Sequence, residues 1–303
     1  MQRPLFSLAA IAAAVSLGAT PLQAQEPVTV SSKIDTEGSV LGELIIQRLE
    51  AGGVEVEERL QLGATSIVRE ALLAGEIDLY PEYTGNGAFF FDMTDNDAWH
   101  DARAAYETVR ERDAENGLTW LTPAPANNTW AISVRGELAR EHRLATLEDL
   151  ASYLEGGEAF KLAASAEFVE SEQALPAFQE AYGFTLDDAQ LLVLSGGNTA
   201  STMRAAAQQT SGVNAAMSYG TDGGLKALDL VVLEDTRGVQ PVYQPAPVVR
   251  DEVLAAWPEI EALLTPVFEA LDLDTLQRLN GDVAVNGRPP AEVAADFLSS
   301  LKE

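Results

Sequence analysis

The chain has no cysteine and only two histidines, His100 and His142. That excludes thiol catalysis, iron–sulfur clusters and zinc ribbons. Basic residues are also scarce: 19 Lys and Arg against 47 Asp and Glu leave a net charge of −28 over 303 residues. So acidic a surface repels phosphate backbones and argues against nucleic acid as a partner. Beyond the first two dozen residues, no apolar run is long enough to cross a bilayer. The phosphate and nucleophile motifs are missing too. Gly85-Asn86-Gly87 lacks the third glycine of a dinucleotide loop, and neither a Gly-Lys-Ser/Thr loop nor a Gly-x-Ser-x-Gly elbow occurs. Asp92, Asp95 and Asp97 have the wrong spacing and no turn glycine for a calcium loop, and they read as a solvated surface loop. Nothing in the sequence supports a catalytic residue, a bound metal or a cofactor.

What remains is a globular composition, 47% hydrophobic and 22% charged, with length for one large or two medium domains. Arg3, the apolar stretch from Leu5 to Leu17 and the small-residue end at Ala24 have the order of a secretory signal. Residues 1–24 are therefore expected to be removed. Without a cysteine to carry lipid, the exported chain is expected free in the periplasm.

Strands and helices alternate along the rest. Val28-Thr29-Val30 reads as a strand, followed by a helix with Leu41, Leu44, Ile45 and Leu49 on one face and Gly52-Gly53 at its end. Val54 to Glu57 and Ile77 to Tyr80 read as strands flanking a helix with Ile67, Val68, Ala71 and Leu72. A helix around Trp99 to Asn116 completes this run. A second run of the same kind has strands at Thr129–Val134, Phe160–Ala164, Leu191–Leu194 and Val213–Ser218, with a helix capped by Thr146 and Asp149. The chain ends in extended segments at Leu230–Leu233 and Pro241–Val249 and two helices in Glu252–Leu301. No low-complexity linker divides the runs, so the pattern predicts an α/β protein of two lobes joined by crossover strands.

Four aromatic residues stand beside turn residues at strand ends: Tyr83 in Tyr80-Pro81-Glu82-Tyr83-Thr84-Gly85, Trp130 after Asn127-Asn128-Thr129, Tyr219 before Gly220-Thr221-Asp222, and Tyr243 in Pro241-Val242-Tyr243-Gln244-Pro245. Ligands of open α/β sheets gather at such ends. Any one of these tyrosines taken alone is better accounted for by packing within its own lobe.

The segments Ser31 to Gly38, Leu62 to Thr65, Tyr80 to Gly87, Asn127 to Trp130, Ala215 to Asp222 and Pro241 to Arg250 occur in an order that resembles the osmoprotectant-binding components of ABC importers, the glycine betaine/choline/proline betaine family. The resemblance covers essentially the whole exported chain. It implies a type II periplasmic binding fold, with two α/β lobes joined by a two-strand hinge and a ligand cleft between them. Residues 25–127 and 225–303 would form lobe 1 and residues 128–224 lobe 2. It implies an aromatic cage of Tyr83, Trp130, Tyr219 and Tyr243, with Asn128 contributing its carbonyl. Lys33, Asn86, Ser171 and Thr65 would form the polar end. It further implies a small quaternary ammonium solute as ligand, and a monomer that delivers it to permease subunits of the inner membrane served by a separate ATPase.

A trimethylammonium group has no N–H to donate, so aromatic faces hold it, at about 0.5–2 kcal/mol each. A betaine carboxylate needs donors at the other end. There the sequence departs from its relatives: Asn86 stands where threonine is frequent, Gly38 where several have glutamine, and Glu167-Phe168 is followed by Val169-Glu170-Ser171 without the usual arginine. The expectation is weak betaine binding, or a preference for a ligand without a carboxylate such as choline.

Overall fold

The structure, a computed structural model, describes residues 26–194 and 199–301; the expected signal segment lies outside them. Among the described residues ten strands form two sheets. β1 (Val28–Lys33), β2 (Val56–Gly63), β3 (Leu79–Tyr83), β4 (Leu118–Trp120) and β10 (Pro245–Arg250) make the first, in the order β2-β1-β3-β10-β4. β5 (Trp130–Arg135), β6 (Leu162–Ser165), β7 (Leu191–Leu194), β8 (Ala215–Tyr219) and β9 (Leu230–Val232) make the second, in the order β7-β6-β8-β5-β9.

The two sheets share one plan. Three strands run parallel, β2, β1 and β3 in one and β7, β6 and β8 in the other. The fourth position holds an antiparallel strand, β10 beside β3 and β5 beside β8. Parallel neighbours require crossover helices that bury both faces, and each sheet is covered on both sides. Leu41, Leu44, Ile45 and Leu49 of the helix Thr36–Ala51 pack in one core with Leu276, Leu279 and Phe297 from the end of the chain. Val68, Leu72, Trp99 and Trp120 fill the other face. In the second lobe Phe168, Phe178 and Leu150 lie on one face, with Met203, Val213 and Leu225 on the other.

Local signals placed most elements. Thr146 caps the helix Leu147–Glu155 and its Oγ1 accepts from the Asp149 N–H, while the Asp149 carboxylate accepts from the Thr146 N–H. Gly75 ends the helix Thr65–Ala74 in the left-handed conformation. Three expectations need correction. The segment 251–300 forms four helices, Asp251–Ala256, Ile260–Glu269, Leu273–Ala284 and Pro290–Ser300, where two were expected. Pro258 and the Pro289-Pro290 pair break the run, and Asp272 starts a new helix by accepting from the Thr275 N–H. Ile67 points outward, half exposed. The return to lobe 1 comes later than residue 225, because β9 still pairs with β5 in the second sheet.

Two segments therefore cross between the sheets, 121–129 and 233–244. They run side by side: the Asn128 N–H donates to the Tyr243 carbonyl (2.9 Å), the Tyr243 N–H to Asn127 Oδ1 (2.8 Å) and Thr129 Oγ1 to the Pro241 carbonyl (2.8 Å). A second contact joins the lobes. The turn after β8 docks on the helix Leu273–Ala284, where Gln277 Nε2 donates to the Gly220 carbonyl (2.7 Å) and Asn280 Nδ2 to the Thr221 carbonyl (2.9 Å). Backbone meets backbone here, since a Cβ on Gly223 would stand 2.1 Å from the Gly281 nitrogen.

Neither chain can yield to a methyl group at that crossing. Gly223→Ala is expected to destabilise the protein by about 2–3 kcal/mol, read as a fall in Tm of at least about 4 °C in a thermal melt. An unchanged Tm would show that the contact is not made.

Candidate functional site

The four rings are set by two strand pairings. In the second sheet Trp130 opens β5 directly opposite Tyr219, the last residue of β8. In the first sheet Pro245 opens β10 opposite Tyr83, the last residue of β3, and Tyr243 lies two residues upstream on the crossing segment. Each lobe thus supplies two rings, both where a crossing segment enters a sheet. Those ends are also the carboxyl ends of the parallel strands, where open sheets collect ligands.

The rings differ in setting. Tyr243 lies against the backbone of Gly85, where a Cβ would stand 2.7 Å from two ring carbons. Its hydroxyl is pushed up to about 12, chiefly by burial and then by the charge of Tyr219. Tyr219 is likewise raised, chiefly by burial. The Trp130 ring meets Phe168 edge to face at 5.9 Å, and its Nε1 is buried beside the Tyr219 hydroxyl. Tyr83 is nearly sealed, 6% exposed, with the Lys33 Nζ lying 4.5 Å from its ring centroid. Asn128 joins the two crossing segments through its N–H and leaves Oδ1 unpartnered in the interior.

The polar candidates fall into two groups. Lys33 closes β1 and is buried in an ion pair with Glu82 on β3. The same carboxylate accepts from Asn86 Nδ2 (2.7 Å), the Tyr83 N–H (2.7 Å) and the Tyr80 hydroxyl (2.8 Å). Lys33 and Asn86 are therefore already engaged, on a charge the sequence reading did not single out. Thr65 opens the helix Thr65–Ala74, and Ser171 ends the helix Ala166–Glu170 in the second lobe. No hydrogen bond among the described residues ties either one to the rings.

A second carboxylate was also missed. Glu37 lies in the first turn of the helix Thr36–Ala51, behind Tyr83, and is 5% exposed. Its Oε1 accepts from the Tyr83 hydroxyl (2.7 Å) and Asn128 Nδ2 (3.2 Å), and its Oε2 from Asn280 Nδ2 (2.6 Å). Thr221 adds a side-chain hydrogen bond. All four partners are neutral. Burial outweighs these hydrogen bonds, and Asp35 adds like charge, so the Glu37 carboxyl is raised to about 7. In the sequence Glu37 looks like any first-turn acid, and only tertiary contacts distinguish it.

A groove of about 790 Å³ lies elsewhere, lined by Glu26, Thr29, Arg59, Asp78 and Arg250. Its two arginines are paired with Glu57, Asp78 and Glu252. The strand ends that carry the four rings, beside the unpartnered Asn128 Oδ1, are the better candidate.

With this geometry in place, known proteins can be compared. The family described as the substrate binding domain of the ABC-type glycine betaine transport system matches residues 26–300. The chain belongs to that family. It is 58% identical to the glycine betaine-binding protein YehZ of Escherichia coli over 287 residues, 94% of this chain and 93% of that one. It is 34% identical to a glycine-betaine-binding protein of Pseudomonas aeruginosa, over 94% and 91% of the two chains. The solved structure of apo YehZ from Escherichia coli superimposes with a TM-score of 0.86 at 57% identity, covering 91% of this chain and 98% of that one. Lactococcal OpuAC, closed on glycine betaine, shares the fold at a TM-score of 0.57 and 13% identity, covering 91% and 96%. The architecture is that of type II periplasmic binding proteins, and the chain is a substrate-binding protein of an ABC transport system. Members of this family bind and hand on a solute outside the cytoplasmic membrane, to permease and ATPase subunits.

The buried Glu37 has a signature in stability. Because its folded value lies above the ordinary 4.5, its contribution is fully present below about pH 4.5 and lost as pH rises to about 7. Wild type is expected to lose on the order of 3 kcal/mol relative to Glu37→Gln across that interval. Denaturant melts of both proteins at several pH values check this, and parallel profiles would contradict the burial of a protonated carboxyl.

Proposed function

We propose that this protein captures a small quaternary ammonium osmoprotectant, such as choline or glycine betaine, between its lobes and delivers it to an inner-membrane permease driven by a separate ATPase. The observation that carries the reading is the placement of Tyr83, Trp130, Tyr219 and Tyr243 at the two points where the crossing segments enter the sheets. Aromatic faces attract a cation whose charge is spread over methyl groups, each by about 0.5–2 kcal/mol once water is excluded. Several faces suffice for micromolar binding after association costs. Tryptophan offers the strongest face, so Trp130 keeps the cage strong. Lobe closure about the crossing segments would exclude water and complete it. Residues 1–24 act as the export signal, and the solute-loaded form is a monomer free in the periplasm.

At the polar end Lys33 and Asn86 face the solute carboxylate, with Ser171 and Thr65 approaching as the lobes close. Because Glu82 already takes the charge of Lys33, a betaine carboxylate gains less there than from a free cation. Choline is expected to bind at least as tightly as glycine betaine. Removing Lys33 would be a poor test, since it leaves Glu82 buried and uncompensated at a cost of about 3–5 kcal/mol.

The rings give a cleaner test. Tyr243→Ala and Trp130→Ala are each expected to weaken choline binding at least about tenfold in titration calorimetry while leaving the far-UV circular dichroism unchanged. Gly85→Ala, whose methyl group would displace the Tyr243 ring, is expected to weaken it in the same direction. Unchanged affinity in the two ring variants would rule the cage out.

A further inference from the structure

Glu37 is not accounted for by the cage itself. It is a carboxylate at the meeting point of five segments: its own helix, the end of β3, the first crossing segment, the turn after β8 and the helix Leu273–Ala284. Its hydrogen-bond partners Tyr83, Asn128, Asn280 and Thr221 carry no charge, in contrast to Glu82, which has Lys33. Two of those partners, Tyr83 and Asn128, belong to the proposed cage. A cation held against the Tyr83 ring would therefore have a buried carboxyl one phenol away.

We propose that Glu37 is the specificity-determining charge of the cleft: ionised, it supplies the counter-charge for a quaternary ammonium cation that lacks a carboxylate, and capture of such a cation drives its proton into solution. This rests on the quaternary-ammonium reading above and extends it to ligand choice.

The surrounding charges support this direction. Asp35 caps the start of the same helix and adds negative field. Across the Tyr83 ring, Lys33 on β1 and Glu82 on β3 cancel one another. Asp222, beside Thr221, is partly buried, and burial raises its carboxyl. The helix Leu273–Ala284 presents the uncharged Asn280 amide. Glu37 thus has no positive charge of its own to pair with, and choline brings one. Glycine betaine is net neutral, so its own carboxylate offsets most of the attraction. With the carboxyl near half-ionised at neutral pH, cation binding and proton release are reciprocally linked. Choline binding strengthens as pH rises, and betaine binding changes little.

The test is titration calorimetry of the purified protein with choline chloride and with glycine betaine. Choline affinity is expected to rise about tenfold between about pH 6 and about pH 8, and betaine affinity by less than about threefold. Near neutral pH, choline titrations in two buffers of different ionisation heat are expected to report proton release, and betaine titrations much less. Glu37→Gln is expected to abolish both the pH dependence and the release, and to lower the ratio of choline to betaine affinity. The wild-type buffer comparison decides the matter even if that variant does not fold. Choline binding without proton release, the same pH dependence for both solutes, or release retained in Glu37→Gln would each overturn the proposal while leaving the quaternary-ammonium reading intact. Failure of both solutes to bind at every pH would overturn that reading, and this inference with it.

Discussion

The molecule depends on the pairing of two antiparallel strands with their parallel neighbours, β10 with β3 and β5 with β8. Each antiparallel strand is where a crossing segment enters a sheet, so the same ladder hydrogen bonds fix both the join between lobes and the residues beside it. Register has no slack here, because a slip of one residue would turn every side chain to the opposite face. Trp130 opposite Tyr219, and Pro245 opposite Tyr83, follow from that register. Rings distant in sequence become neighbours because the backbone allows no alternative.

Charge in this region is sorted by compensation. Lys33 and Glu82 are both buried and meet as a pair, with Asn86, Tyr80 and a backbone N–H satisfying the remaining lone pairs. Such a pair resists disruption of either partner, and it also withdraws Lys33 from use as a free cation. Glu37 has donors but no cation, so burial raises its carboxyl to about 7. Two acids of one type in one site thus differ in what answers their burial, a cation for Glu82 and neutral donors for Glu37. Elsewhere the acid excess is solvated surface, as in Glu57 and Glu137, both exposed beside their arginines.

Much of the architecture was legible in sequence. The capping box at Thr146 and Asp149, the glycine stop at Gly75 and the apolar spacing of Leu41, Leu44, Ile45 and Leu49 are local signals, each reporting its element within a few residues. The errors have physical causes as well. The tail from residue 251 was divided too coarsely because its periodicity runs on across Pro258 and Asp272, where backbone chemistry ends one helix and begins the next. The return at residue 225 was placed early because β9 is three residues long and its sheet membership is decided by β5, nearly a hundred residues away.

Composition and short-range pattern by themselves determined what the chain lacks, where several of its helices start or stop, that its strands alternate with helices, and which aromatics stand at strand ends. The motif order pointed to the family. Only the tertiary structure decided that Lys33 is tied to Glu82, that Asn86 shares that carboxylate, and that Glu37 is enclosed by Tyr83, Asn128, Thr221 and Asn280. Spacing along the chain encodes the period of a helix or a strand, whereas burial and charge compensation depend on residues far apart in the chain, 243 positions for Glu37 and Asn280. Those contacts exist only once the sheets and crossing segments have closed around them.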